Sequence, residues 1–202
     1  MRTQPTATLD KDSGIPPRLR ILAAAGELFY RHGIRAVGVE AIAEAAGTNK
    51  MTLYRHFVSK DELVAEYLRQ SAEAADSCWQ RFERAHPGDA LAQVRAWLVE
   101  IAGHLTEPGE RGCALANAAV ELAEKDHPAR RVIEECKLAQ RTRFVQLCRD
   151  AGLIEPDMLA DEILILLEGA RVTAQSVGTA GLSAKFLRMG EAMLAAHSPL
   201  RR

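Results

Sequence analysis

Residues 39–57 read Val39-Glu40-Ala41-Ile42-Ala43-Glu44-Ala45-Ala46-Gly47-Thr48-Asn49-Lys50-Met51-Thr52-Leu53-Tyr54-Arg55-His56-Phe57. The stretch reads as two short helices joined by a tight turn: Val39 to Ala46 stops at Gly47, and a second segment begins at Thr48 and runs to about Phe57. Ala43 is small where the two helices would cross, Gly47 supplies the turn, and Ile42, Ala46 and Leu53 face inward. That is the spacing of a helix-turn-helix, whose second helix presents its first turns to the major groove while the first lies across the DNA backbone. Ala-and-Gly spacing also arises by chance in Ala-rich helices, so the flanking sequence has to agree.

It does. Before this stretch, Pro16-Pro17 opens a segment with Ile21, Leu22, Ala25, Leu28 and Phe29 on one helical face, ended by Gly33. After it, Ser59-Lys60-Asp61-Glu62 has the form of a capping box, with Val58 and Leu63 as a hydrophobic staple. This cap opens a long helix to about Ala85, ended by His86-Pro87-Gly88. Helical stretches follow at about 90–105, 113–124, 128–151, 158–178 and 184–196, separated by Pro- and Gly-bearing breaks. About nine helices without strand alternation predict an all-α fold. The expected organisation is a flexible, polar arm at 1–16, a helix-turn-helix domain at 17–63 and a second helical domain at 64–202.

Bulk properties agree with a folded globular chain: 202 residues, 48% hydrophobic and 26% charged. Such a length buries roughly 70% of the unfolded surface, so neither metal nor disulfide is required. Net charge is −1, yet residues 1–60 carry nine Lys or Arg against five Asp or Glu, and the remainder 17 against 22. A basic module that meets phosphate, joined to an acidic body, fits that asymmetry. Cys78, Cys113, Cys136 and Cys148 form no C-x-x-C pair, so no zinc site or cofactor is expected, and buried thiols in a reducing cytoplasm are the simpler reading. The polar first twelve residues do not resemble a signal peptide, and the run Ile163 to Leu167 is far shorter than a bilayer needs. A cytoplasmic location without membrane association is the expectation.

The wider pattern closely resembles the TetR family of bacterial regulators. Its carriers are Ile21-Leu22-Ala23-Ala24-Ala25 with Leu28-Phe29 and Gly33, then Val39, Ile42-Ala43 and Ala46-Gly47, and finally Leu53-Tyr54-Arg55-His56-Phe57 with Ser59-Lys60. The resemblance implies an N-terminal DNA-reading domain and a C-terminal domain that dimerises and binds a small ligand. Where the family has Thr or Ser capping its second helix against a phosphate, this chain has Gly38, whose N–H can donate but which lacks the hydroxyl. Thr48, at a position often apolar, is read as a cap of the recognition helix. Asn49, Lys50 and Thr52 are expected at base edges, since Asn pairs bidentately with adenine and Lys reaches guanine O6/N7; Met51 suits a thymine methyl. Tyr54, His56 and Lys60 match positions that hold phosphates, and Arg18 is expected to do likewise. A ring packed between helices remains the alternative for Tyr54 and His56, and a solvated charge for Lys50 and Lys60.

In the C-terminal half, the helix at 158–178 is apolar on nearly every side around Ile163-Leu164-Ile165-Leu166-Leu167 and so needs covering on both faces. With the last helix, capped by Ser183, it is the expected interface of a homodimer, a four-helix bundle across a two-fold axis. The residues assigned there are Leu166, Ala170, Thr173, Ala174, Val177, Phe186, Met189 and Met193. Glu168, Arg171 and Gln175 form a polar strip that is interfacial, pocket-lining or wet. A pocket for an unknown small-molecule effector is expected among Trp97, His104, Cys113, Asn117, Gln140 and Phe144, against the plainer reading of ordinary core contacts. The function expected is a repressor released from palindromic double-stranded operator DNA by a ligand. The alternatives are a regulator governed by a protein partner or thiol oxidation and, distantly, an all-α enzyme; no nucleophile–base–orienter spacing or phosphate loop supports the last.

Overall fold

The computed structural model of the chain describes residues 14–199; most of the arm expected at 1–16 therefore lies outside the described residues. Among the described residues there are nine helices and no strand: α1 (Pro17–His32), α2 (Val39–Ala45), α3 (Lys50–His56), α4 (Lys60–Ala85), α5 (Ala90–His104), α6 (Ala114–Glu121), α7 (Pro128–Asp150), α8 (Pro156–Ser176) and α9 (Leu182–Ala196). The all-α expectation holds, with ends shifted by one to three residues. No helix among them is long and apolar enough to cross a membrane.

Pro17 stands at the first position of α1, where its missing N–H costs nothing. At the start of α4, Ser59 Oγ accepts from Glu62 N–H at 3.0 Å, as the capping box predicts, but Glu62 Oε2 reaches back one residue further, to Val58 N–H at 2.8 Å. The staple is not formed. Val58 is 86% exposed while Leu63 is buried, because the chain enters α4 with Phe57 rather than Val58 turned inward.

The chain divides into two compact units. The first holds the described residues up to Ser71 together with Asn117–Ile133; the second holds Ala72–Ala116 and the residues from Glu134 onward. The first unit is centred on fully buried Ile21, Ala25, Ile42, Ala46, Leu53, Leu63 and Leu68, with Phe29 and Phe57 beside them. Phe29 meets Tyr67 at a ring-centroid distance of 5.7 Å. One departure from the expected organisation stands out: residues 117–133 cluster with the N-terminal residues and not with the body to which their sequence position assigned them.

The second unit is organised by an aromatic cluster. Trp97 stacks on Trp79 with ring centroids 6.1 Å apart and meets Phe144 edge-on at 4.5 Å, the offset-stacked and edge-to-face geometries that ring quadrupoles favour. Both α5 and α8 pack on α9. Gly190 allows the first of these approaches, since a Cβ there would lie 2.9 Å from Leu98 Cδ2. Ser183 does not cap α9: its hydroxyl donates to the Ala102 carbonyl on α5, and the residue before the helix is Gly181, in the left-handed region at φ 67°. Arg95 and Glu191 pair across α5 and α9 at 3.0 Å.

Candidate nucleic-acid interface

Between α2 and α3 the backbone makes a complete helix stop. Gly47 N–H donates to Glu44 O at 3.0 Å and Thr48 N–H to Ala43 O at 2.9 Å, the paired bonds of a Schellman ending, with Gly47 at φ 62°. Thr48 thus closes α2 and does not cap α3. The cap of α3 is Asn49, whose Oδ1 accepts from Thr52 N–H at 2.9 Å. This revises two expectations: the recognition helix starts at Lys50, and the Asn49 carbonyl needed for bidentate adenine pairing is already engaged. At the start of α2, Gly38 stands as the N-cap with no side-chain bond, as expected.

Leu53 is fully buried and pins α3, leaving Lys50, Met51, Tyr54, Arg55 and His56 exposed on its outer side. Met51, 71% exposed, is an apolar side chain presented to solvent beside a cation and a phenol. Thr48 and Thr52 are half-buried. The ring-in-the-core alternative for Tyr54 and His56 is not what the chain adopts. Lys50 is not simply solvated either: its Nζ lies 2.7 Å from Glu40 Oε1, and that hydrogen bond holds the ammonium above its ordinary pKa and the carboxyl below its own.

Two cations expected at phosphates are engaged by the protein itself. Arg18 pairs with Glu66 at 2.7 Å, lying over the Phe57 ring, and holds the Glu66 carboxyl below the usual range. Lys60 is half-buried, with Nζ donating to the Ile34 carbonyl at 2.7 Å; burial pushes its pKa down. Reading the sequence missed Glu40 as the partner of Lys50. It also passed over Arg55, although Arg55 stands inside the Tyr54–Phe57 run that was recognised.

The ligand-pocket candidates differ in burial and in what they touch. Trp97 and Phe144 are buried against each other in the aromatic cluster. His104, at the end of α5, has Nδ1 3.2 Å from Glu107 and Nε2 3.5 Å from Glu100. With Glu107 and Glu110 it could offer three donor atoms within 4.8 Å of one another, but Glu110 already accepts from Gly112 N–H at 2.8 Å. Cys113 and Gln140 are half-buried in the second unit, and Asn117, also half-buried, belongs to the first. The polar strip is tied within its own unit: Lys137 meets Glu168 at 2.5 Å, and Gln175 donates to the Arg111 carbonyl at 2.7 Å.

The dimer candidates also separate. Ala170 and Phe186 are buried inside their own unit, Phe186 at 1% exposure. Leu166, Ala174 and Met193 are half-buried against the same core, while Thr173, Val177 and Met189 are exposed. A more continuous outward stripe on α8, unassigned from sequence, consists of Met158, Ile165 and Val172 at seven-residue spacing, 56%, 72% and 65% exposed.

Residues 21–67 match the family model described as bacterial regulatory proteins, tetR family. Over 60 residues the chain is 38% identical to the HTH-type transcriptional regulator UidR of Escherichia coli, covering 30% of this chain and 31% of that protein. Over 95 residues it is 30% identical to the regulator TtgR of Pseudomonas putida, covering 47% of this chain and 45% of that one. These matches thus span less than half of the relatives' length. A solved structure extends the likeness to nearly the whole chain: a TetR-family transcriptional regulator from Streptomyces coelicolor is 30% identical, with a TM-score of 0.85, covering 91% of this chain and 96% of that one. A second, from Streptomyces avermitilis, is 29% identical with a TM-score of 0.77, over 91% and 98%.

Proposed function

Because the chain belongs to the TetR family of DNA-binding transcriptional regulators, we propose that it acts as a homodimeric repressor that a small molecule releases from a palindromic operator. The outer face of α3 is the observation that carries this reading. Lys50, Met51 and Tyr54 stand exposed on a helix fixed from behind by Leu53. An exposed methionine beside a cation suits a groove floor that offers both a thymine methyl and guanine acceptors. Tyr54, Arg55 and His56 take the phosphates, Thr52 lies at the edge of the base-reading set, and Thr48 and Gly38 hold the ends of α2 against the backbone. Arg18 and Lys60 serve by fixing α1 and α4 within the reading head.

Lys50 begins its work from an ion pair with Glu40. Binding DNA exchanges that carboxylate for acceptors on the duplex, so Glu40 tempers the attraction to any sequence. Reading is assigned to residues 17–63, and dimerisation and effector binding to 64–202. The partner surface is the outward stripe of α8 with Met189 of α9, not the buried Phe186. Two α3 helices about 34–36 Å apart then meet successive major grooves. The effector acts by preferring the non-binding arrangement: a preference of about 3 kcal/mol weakens operator binding by over a hundredfold, and DNA weakens effector binding equally.

The test is to enrich duplexes from a random pool with the full chain. The winning sites should be palindromic, with half-sites one helical turn apart. Enrichment of unpaired half-sites would remove the dimeric reading, and recovery of no sequence would remove the DNA reading altogether. A thermal-shift screen of small molecules against the operator-bound chain then identifies releasing compounds.

A further inference from the structure

The turn between α1 and α2 is held from outside the helix-turn-helix stretch. Gly33, at φ +86°, ends α1. The next two amides converge on one atom: Ile34 N–H donates to Glu121 Oε2 at 2.7 Å and Arg35 N–H to the same oxygen at 3.1 Å. The Ile34 carbonyl accepts from Lys60 Nζ at 2.7 Å, so both polar backbone groups of Ile34 are gripped, one by an anion and one by a cation. The carboxylate also fills the space beside Gly33, where a Cβ would stand 3.0 Å from Glu121 Oε1.

Glu121 is the last residue of α6, where the helix dipole disfavours a negative charge. Two charge-assisted bonds from the turn offset that cost. Further links run beside it within the same unit. Arg35 pairs with Glu124 at 3.0 Å; His127 Nε2 faces Asp61 at 3.4 Å while its Nδ1 accepts from Ala129 N–H. These contacts explain why Asn117–Ile133 clusters with the N-terminal residues.

We propose that Glu121 is a positioning residue for DNA reading: a carboxylate latch at the end of α6 that fixes the α1–α2 turn and thereby the tilt of α2 and α3. The alternative is that Glu121 merely satisfies two amides. The two differ in what its removal changes: a structural tie affects stability alone, whereas a latch changes discrimination between DNA sequences. The proposal rests on the assignment of α3 as the reading helix.

The experiment compares the full-length parent with Glu121→Ala, Glu121→Gln and Glu124→Ala, by fluorescence anisotropy on the enriched duplex and on a scrambled one. Both amides use a single oxygen, so Gln retains an acceptor for each and Ala retains none. Glu121→Ala should lose about tenfold on the enriched duplex and less than about twofold on the scrambled one. Glu121→Gln should stay within about threefold, and Glu124→Ala, an exposed pair, within about twofold. In the parent, hydrogen exchange at Ile34 and Arg35 should be slowed well beyond that of an open turn, a measurement independent of whether the alanine variant folds. A folded Glu121→Ala that keeps the parent's discrimination, or fast exchange at both amides, overturns the latch. If the parent itself enriches no sequence, the assignment of α3 falls and takes the latch with it.

Discussion

The two units of this chain fix their helices by different means. In the first, α2 and α3 are only seven residues each, too short to hold themselves, and backbone chemistry sets their ends: Gly38 and the Gly47 stop for α2 and the Asn49 cap for α3, with Gly33 ending α1 and Ser59 opening α4 on either side. In the second, α5 and α8 run 15 and 21 residues, and what orients them is which apolar face turns inward around Trp79, Trp97 and Phe144. Local backbone devices can be read from neighbouring residues. A choice between two apolar faces of one helix cannot, because it depends on residues far along the chain.

The largest effects should come from the body. Phe186→Ala removes a fully packed ring and should cost about 3–5 kcal/mol in denaturant unfolding. Ile165→Glu, on the outward stripe of the same unit, should leave the protomer's helical circular dichroism intact while converting dimer to monomer in sedimentation. If Ile165→Glu remains dimeric, the stripe is not the partner surface. Operator affinity should fall with it, since two reading helices no longer bind as one.

In the reading head the expected changes are smaller and concern discrimination. Lys50→Ala should lower the preference for the enriched duplex over scrambled DNA by roughly 1–3 kcal/mol. Glu40→Ala should act in the opposite sense, tightening binding to every sequence and steepening the salt dependence, because it removes an anion and frees Lys50. A Glu40→Ala variant that binds random DNA no better than the parent would show that the Lys50–Glu40 pair does not restrain binding.

How far the sequence could be read follows the same division. The helix-turn-helix, the Gly38 cap, the Gly47 turn and the exposed α3 face were legible because each is set within about ten residues. The cap of α3 was read as Thr48 where it is Asn49, since a Thr hydroxyl and an Asn carbonyl can both accept at a helix start and only the backbone path decides between them. Glu121 shares a helical face with Cys113 and Asn117, but its bond to the α1–α2 turn was not legible: it stands 87 residues from Ile34, and nothing near it marks that partner. On α8 the pattern showed two apolar faces but not which of them packs inward: Ile163, Leu167 and Ala170 turn to the core, Met158, Ile165 and Val172 away from it.

Two finer effects test the local devices. Glu66 is held below its usual pKa by Arg18, so its stabilisation is present above the unfolded value near 4.3 and is lost as pH falls through the lower folded value. Both groups are partly exposed, so Glu66→Gln should flatten the acid limb of the stability profile by less than about 1 kcal/mol. Gly38 has φ −86°, and a Cβ there would meet its nearest neighbour at an ordinary 3.6 Å. Gly38→Ser should therefore fit without strain and raise stability by a few tenths of a kcal/mol. A loss on thermal melting would mean that the α2 start needs glycine for another reason.

The most direct measurement is the affinity of the full chain for duplexes enriched from a random pool, before and after Lys50, Met51 and Tyr54 are together replaced by alanine. The parent should bind the enriched duplex on the order of a thousandfold or more tighter than scrambled DNA, and the triple variant should approach the non-specific value on both while keeping the parent's helical content. If the folded triple variant retains the parent's discrimination, the outer face of α3 does not read the operator.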